Sequence, residues 1–394
     1  MPRRQTAALF RKAIYMQLDT PKKERPMAGE QLQRARKRTA SMGCKITGWG
    51  KALPQLTVTN NDLAALVDTN DEWIVERTGI RQRHVATTET STDLASTAGA
   101  QALERAGLKA SDIDLLICMT ITPDAIIPSQ ACLVKARMGL ENAVAFDLNA
   151  ACSGCIYGID VASSMMAASM GSIGGCQRNP IKNALVIGVD CLSRIVDWTD
   201  RATCVLFGDG AGAAVISWDE EEPGILATYL HNVDDSSLYL ACDTVYDLST
   251  FSFPKGGTPT PVAVIAGTQS AETGQNGYRP FISMQGQKVF KFAAAAMAEA
   301  VDTVCQRAGV PVEDAACIVP HQANERIIRF ASKKMGVPME RFQVSIEDVG
   351  NTSASSVLMA LADAFEGGKI CSGDKVILVG FGAGLTYGAL MFQA

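Results

Sequence analysis

Three short segments of this 394-residue chain hold side chains able to do nucleophilic chemistry. The first is FDLNAACSGCIYGIDVASSMM, where an apolar strand runs through Ala150, Ala151, Cys152, Ser153 and Gly154 into a helix-like run of small and apolar residues. That order puts Cys152 in the first turn of a largely buried helix. Unpaired backbone N–H groups and the helix dipole favour a thiolate there and lower the cysteine's pKa. Small neighbours leave room for a substrate carbonyl against the sulfur. Read alone, the segment is explained as well by one more buried cysteine among twelve. The second segment, IVPHQANERII, sets His321 after a strand and before a helix. Pro320 keeps its neighbour extended, and strand ends are where α/β active sites gather. The third, VGNTSASSV, holds Asn351 beside Gly350, whose freedom permits a sharp turn; the amide can donate toward a developing oxyanion, or simply cap the helix that follows.

Together, a thiolate, an imidazole and an amide donor on three strand-to-helix corners suit acyl transfer and carbon–carbon bond formation through a thioester. Other chemistries fit less well. Cys152 and Cys155 form a C-x-x-C, but no second such pair exists to complete a zinc site, so Cys155 reads as a core residue one turn along the helix. Only three histidines are present (His84, His231 and His321), which argues against a histidine-rich metal centre, and no metal or cofactor is expected.

The rest of the chain must position these groups. With 47% hydrophobic and 20% charged residues, it has ample material for a large core and is neither disordered nor a disulfide scaffold. No stretch reaches the roughly 18 uninterrupted apolar residues of a membrane span. Residues 1–43 carry eleven Lys and Arg against three Asp and Glu, a net +8, which leaves −13 on residues 44–394 of the total of −5. An acidic body argues against nucleic-acid binding. The basic leader resembles an organelle transit segment in being Arg-rich, yet it lacks serine before Ser41 and contains Met27 and Met42 as alternative starts. The expected setting is a reducing, cytoplasmic one, or an organelle if the leader is a transit peptide.

From residue 44 onward, apolar runs alternate with helical stretches, as in an α/β protein with buried mixed or parallel sheets. Strands are predicted at 113–119, 143–148, 184–189, 212–217, 315–319 and 375–380, and helices at 92–106, 129–138, 152–170, 286–308, 323–335 and 354–366. Gly107 and Gly309 read as helix stops, Ser111 and Asn324 as residues near helix starts. A weak internal repeat matches the two halves: 35 residues separate Ile117 from Cys152, and 33 separate Ile318 from Asn351. A duplicated unit, with halves at 44–217 and 218–394, is the physical reading. Residues 241–280, rich in Gly, Pro, Ser and Thr, read as a variable loop or a pocket cover.

Seven ordered motifs, TNDEWIVERTGIRQRH, NAACSG, DRATCVLFGDGAGAAV, MQGQKVFKFA, VPHQANERII, GNTSASS and GFGAGLTYGA, make residues 44–394, outside 241–280, resemble the β-ketoacyl-acyl carrier protein synthase III family of the thiolase-like superfamily. The resemblance implies a duplicated, layered αβαβα fold with mixed sheets and a buried catalytic helix. It implies that Cys152 accepts an acyl group from acyl-CoA and that His321 and Asn351 complete a Cys-His-Asn triad for decarboxylative condensation with malonyl-acyl carrier protein, initiating fatty-acid synthesis. Backbone N–H groups of Cys152 and Ala383 are implied as the oxyanion hole; Ala383 stands where the family often has Gly.

By the same resemblance Trp73, Arg77 and Arg201 contact CoA, Asn324 supports its pantetheine end, and Phe381 is the aromatic beside the cysteine. Lys291, Arg326, Lys333 and Lys334 form a basic set suited to an acidic carrier protein, or are merely solvated helix faces. Ile126 or Ile127 stands near the position that limits the acyl pocket across a homodimer. The family alternative is a specialised-metabolism ketosynthase or acyltransferase using another acyl-CoA. The CMTITPD loop has no catalytic glutamate, which removes the hydroxymethylglutaryl-CoA synthase reading, and a dead carrier-binding protein would have lost one of the three residues.

Overall fold

Two mixed β-sheets enclose a pair of buried helices, and a further helical layer covers each outer face. The computed structural model of the chain describes residues 43–170, 179–243 and 281–394. Expectations for the leader, apart from its last residue, and for most of the 241–280 stretch lie outside those residues.

The first sheet holds β1 (Gly43–Ala52), β2 (Leu115–Met119), β3 (Val144–Leu148), β4 (Asn183–Cys191) and β5 (Asp209–Asp219), in the order β1-β5-β4-β2-β3. The second holds β6 (Ile225–Asn232), β7 (Cys317–Pro320), β8 (Lys375–Gly382) and β9 (Thr386–Gln393), in the order β7-β8-β9-β6. In each, parallel pairing at one edge (β3 with β2 and β2 with β4; β7 with β8) gives way to antiparallel pairing toward the other. The all-buried β2, LLICM, is the continuous apolar run that a strand covered on both faces requires. By contrast, β1 alternates half-buried and buried residues along its whole length.

The helices that pack on these sheets are α2 (Ser91–Ala106), α3 (Gln130–Met138), α4 (Gly154–Met170), α5 (Gly286–Ala308), α6 (Glu325–Met335) and α7 (Ser356–Glu366), with α1 (Asp71–Thr78) preceding them near the site. α4 and α7 supply Ile156, Ile159, Val357 and Leu361 to one apolar layer shared with Ile117 and Val186 of the first sheet and Val319 and Leu378 of the second. α2 and α3 cover the opposite face of the first sheet, and α5 and α6 that of the second. The layering is therefore αβαβα.

Sequence signals set the element ends. α2 opens on a reciprocal Thr90–Asp93 capping box and closes on Gly107 at φ 67°. Asn324 caps α6, its side chain accepting from Arg326 N–H at 2.9 Å. Ser111 starts no helix: it lies inside a single 3₁₀ turn, Ala110–Asp112, that leads directly into β2. β1 also escaped the strand expectations, because small residues blur its apolar pattern. A Cβ at Gly50 would meet the Ala98 carbonyl oxygen at 2.0 Å, so that strand is small where it lies on α2.

Candidate active site

Cys152 sits in the 3₁₀ turn Ala151–Ser153 that feeds α4. Ala151 takes a left-handed φ of 46°, a strained corner of the sort that concentrates at functional sites. The turn is pinned from the second sheet. Ser153 Oγ bonds Ala150 O at 2.7 Å and Thr386 Oγ at 2.6 Å, and Thr386 Oγ reaches the carbonyls of Ala150 and Ala383, both at 3.1 Å. At the end of β8, a Cβ on Gly382 would lie 2.7 Å from Cys152 N, so only glycine lets the strand come this close. Ala383 follows directly and is half-buried.

His321 leaves β7 with its N–H bonded to Val379 O at 2.8 Å. Its Nδ1 lies 2.6 Å from Ser356 Oγ at the start of α7, and its ring meets Phe381 edge-on at 5.0 Å. Gln322 N–H also donates to Ser356 Oγ, at 3.4 Å. Either atom can be the donor in the His321–Ser356 contact; when the serine O–H donates to Nδ1, the imidazole carries its proton on Nε2. Burial holds the His321 pKa far down, at about 3, so this ring is neutral.

Asn351 forms an isolated bridge with Phe207 and accepts Ser353 N–H on Oδ1 at 2.9 Å. That contact fixes the amide orientation and leaves Nδ2 as the donor. Cys152, His321, Asn351, Phe381, Asn324 and Gly382 all line one cavity of about 210 Å³, closed further by Leu206, Phe207, Phe290 and Phe292.

The charge on the sulfur differs from expectation. Burial pushes the Cys152 thiol up to about 12; the Ser353 hydroxyl pulls it back, the buried Asp190 adds to the rise, and the cysteine's own N–H lowers it slightly. Desolvation thus outweighs the helix N-terminus, and the resting side chain is a neutral thiol. Ser353 itself adopts φ 53° and its hydroxyl makes no regular hydrogen bond.

Sequence reasoning also passed over Asp190, at the end of β4. It is fully buried and accepts from Ile121 N–H at 2.8 Å, from Thr120 and Thr122 hydroxyls at 3.1 Å and from Ala354 N–H at 3.3 Å. It ties the loop after β2 to the turn that carries Asn351 and Ser353. Ser353 and Ser356 both stand in the GNTSASS motif; their hydroxyls were the available signal.

Ser356 is a positioning residue for His321. Ser356→Ala is expected to slow condensation about tenfold, the worth of one buried hydrogen bond, while acylation of Cys152 changes less than twofold. Single-turnover assays of the two steps separate this from general destabilisation, which would slow both.

The remaining expected residues divide. Trp73 and Arg77 lie on α1, and Arg201 begins the short helix Arg201–Cys204. Both guanidiniums sit over the Trp73 ring, at 4.5 and 4.9 Å. Arginine thus covers the Trp73 ring. Asn324 connects this cluster to the cavity, its Nδ2 donating to Arg77 O at 3.0 Å. Lys291, Arg326, Lys333 and Lys334 are exposed on α5 and α6. Ile126 and Ile127 do not line the cavity of this chain: they are 61% and 87% exposed, on the loop before α3. Cys155 packs fully buried in the central apolar layer.

A thiol, a neutral imidazole and an amide donor around one cavity, in a fold whose two middle helices are sandwiched between mixed sheets, define the thiolase-like class of condensing enzymes. The model for 3-oxoacyl-[acyl-carrier-protein (ACP)] synthase III matches residues 146–233, and the model for the C terminal of the same enzyme matches residues 305–394. The chain belongs to the β-ketoacyl-[acyl-carrier-protein] synthase III family. It is 42% identical over 349 residues to the enzyme of that name from Clostridium beijerinckii, with 89% of this chain and 98% of that one covered. The Xanthomonas campestris enzyme is likewise 42% identical over 350 residues, with the same coverage. Among solved structures, 3-oxoacyl-[acyl-carrier-protein] synthase III from Aquifex aeolicus superposes with a TM-score of 0.76 at 40% identity, over 89% of this chain and all of that one. The priming β-ketosynthase of the R1128 polyketide pathway reaches 0.76 at 30% identity, over 90% and 96%.

Proposed function

We propose that the chain condenses an acyl-CoA primer, acetyl-CoA by default, with malonyl-acyl carrier protein to give a 3-oxoacyl carrier, the first step of fatty-acid synthesis. The observation that carries this reading is the single cavity holding Cys152, His321 and Asn351 with both donors uncharged.

In the first stage the Cys152 sulfur attacks the thioester carbon of acyl-CoA, the bond to CoA breaks, and the thiol proton ends on the departing CoA sulfur. Backbone N–H groups of Cys152 and Ala383 stabilise the tetrahedral oxyanion. In the second, malonyl-carrier loses carbon dioxide, and the electrons of the broken C–C bond pass into an enolate whose oxygen accepts from His321 Nε2 and Asn351 Nδ2. The enolate carbon then attacks the acyl-cysteine; a C–C bond forms, the C–S bond breaks, and the released Cys152 thiolate takes a proton from water. Neutral donors suit this step, since a carboxylate beside the enolate would oppose its charge.

The guanidiniums of Arg77 and Arg201 supply bidentate phosphate recognition at the outer end of the tunnel, and a purine would pack against Trp73 by displacing one of them. No metal or prosthetic group enters either stage. A second copy is proposed as the neighbour of β3, which edges its sheet with Val144 58% exposed. In that homodimer the two isoleucines would face the partner's tunnel. No helix among the described residues is long and apolar enough to cross a membrane, in keeping with a cytoplasmic enzyme.

The test is incubation with a panel of acyl-CoAs, followed by malonyl-carrier. The expected result is one acyl adduct, on the Cys152 peptide, chased into 3-oxoacyl-carrier with release of carbon dioxide. An adduct that transfers without decarboxylation would instead make the protein a plain acyltransferase.

A further inference from the structure

The outer face of α6 presents an aromatic where the helix pattern calls for a polar residue. Ile327, Ile328, Ala331 and Ser332 turn inward and are buried, whereas Phe330 points out and is 50% exposed. Arg326 precedes Phe330 by one turn and Lys334 follows it by one, so the three share a stripe with Lys333 alongside. Lys291, on the neighbouring α5, is also exposed. Among the described residues none of these four cations makes an ion pair, although Arg329 on the same helix pairs with Glu325.

Among the described residues Phe330 touches one aromatic, Phe290 of α5, edge-on at 5.9 Å. Phe290 in turn lines the cavity that holds Cys152. An exposed apolar ring inside a set of uncompensated cations, one side chain from the tunnel wall, has the composition of an interface centre: an aromatic anchor within a charged rim.

We propose that Phe330 is the apolar anchor of the docking surface for the acidic carrier protein, seated between Arg326, Lys333, Lys334 and Lys291 and backed by Phe290. The inference rests on the condensing function proposed above. The four cations attract and orient an acidic partner, which sets encounter more than residence. Phe330 gives that partner a ring to bury at the point where its pantetheine arm must enter. The exposed ring within the cations suits a protein face better than free CoA, which the reading above assigns to the Trp73, Arg77 and Arg201 cluster.

The test compares Phe330→Ala with the unaltered protein in three assays: condensation with malonyl-carrier, condensation with malonyl-pantetheine, and self-acylation by acyl-CoA. We expect KM for malonyl-carrier to rise about tenfold, as for a truncated interface anchor, with kcat within twofold. Malonyl-pantetheine kinetics and Cys152 acylation should be unchanged, and Phe330→Leu should recover most of the loss. An unchanged KM for malonyl-carrier overturns the proposal. An equal rise for malonyl-pantetheine overturns it too, by making Phe330 part of the tunnel. If the unaltered protein condenses neither malonyl thioester, the functional reading itself fails, an outcome distinct from any effect of Phe330.

Discussion

Cys152→Ser is expected to abolish acyl transfer to the protein, lowering the rate by at least about 10³-fold, and to remove condensation with it. Among the described residues lining the cavity, Cys152 alone has a thiol or hydroxyl; its companions are aliphatic, aromatic or amide side chains, the Met284 thioether and His321. A serine hydroxyl at the same place is smaller, less polarisable and harder to deprotonate than a thiol already held at about 12. The neighbouring geometry stays intact, because the turn is pinned through Ser153 and Thr386 rather than through the sulfur. Intact-protein mass spectrometry after acyl-CoA treatment reads the outcome. A serine variant that still acquired one acyl group at a comparable rate would move the nucleophile elsewhere.

His321→Ala and Asn351→Ala are each expected to lower condensation about 10²- to 10³-fold while acylation falls by less than about tenfold. The estimate follows from the loss of one preorganised donor to a developing oxyanion. The double variant should lose far less than the product of the two, since both donors serve one oxygen. The split between steps is the decisive measurement: single-turnover acylation beside release of carbon dioxide from malonyl-carrier. Equal losses in both steps would assign His321 to deprotonating the thiol instead.

The charge state of His321 adds a pH signature. Its folded pKa, about 3, lies below the ordinary 6.5, so protonation favours the unfolded chain. Its contribution to stability is therefore complete above about pH 6.5 and is lost as pH falls from there toward 3. Between pH 5 and 8 the ring in the folded enzyme stays neutral, and condensation should show no acid limb from it.

Much of the architecture was readable because its signals are local and strong. Helix 286–308 matches its predicted bounds: small residues line its inner face, and Gly309 ends it in a left-handed cap. The strand end that carries His321 follows from the apolar run closed by Pro320, whereas Asn351 comes after the short helix Ile346–Val349 and Gly350 and not at the strand-to-helix corner expected for it. Less was readable where the determinant is a distant contact. β1 owes its place to Gly48 and Gly50 lying against the backbone of α2. The first-turn position of Cys152 was legible, but its charge was not, because desolvation by two sheets exceeds what one helix end can offset. The exposure of Ile126 and Ile127 and the arginines over Trp73 likewise depend on tertiary placement that spacing does not encode.

The cysteine turn and the turn beside Asn351 each lead into a helix of the middle layer, walled by a sheet on either side. The first turns of both helices are buried, so their amide protons should exchange with deuterium only when the whole fold opens. The reactive centre therefore has no loosened sub-state of its own in which the thiol is bare while the framework persists. A chain able to take up an acyl group is a chain that has finished folding, and one damaged enough to expose that sulfur has already lost the means to use it.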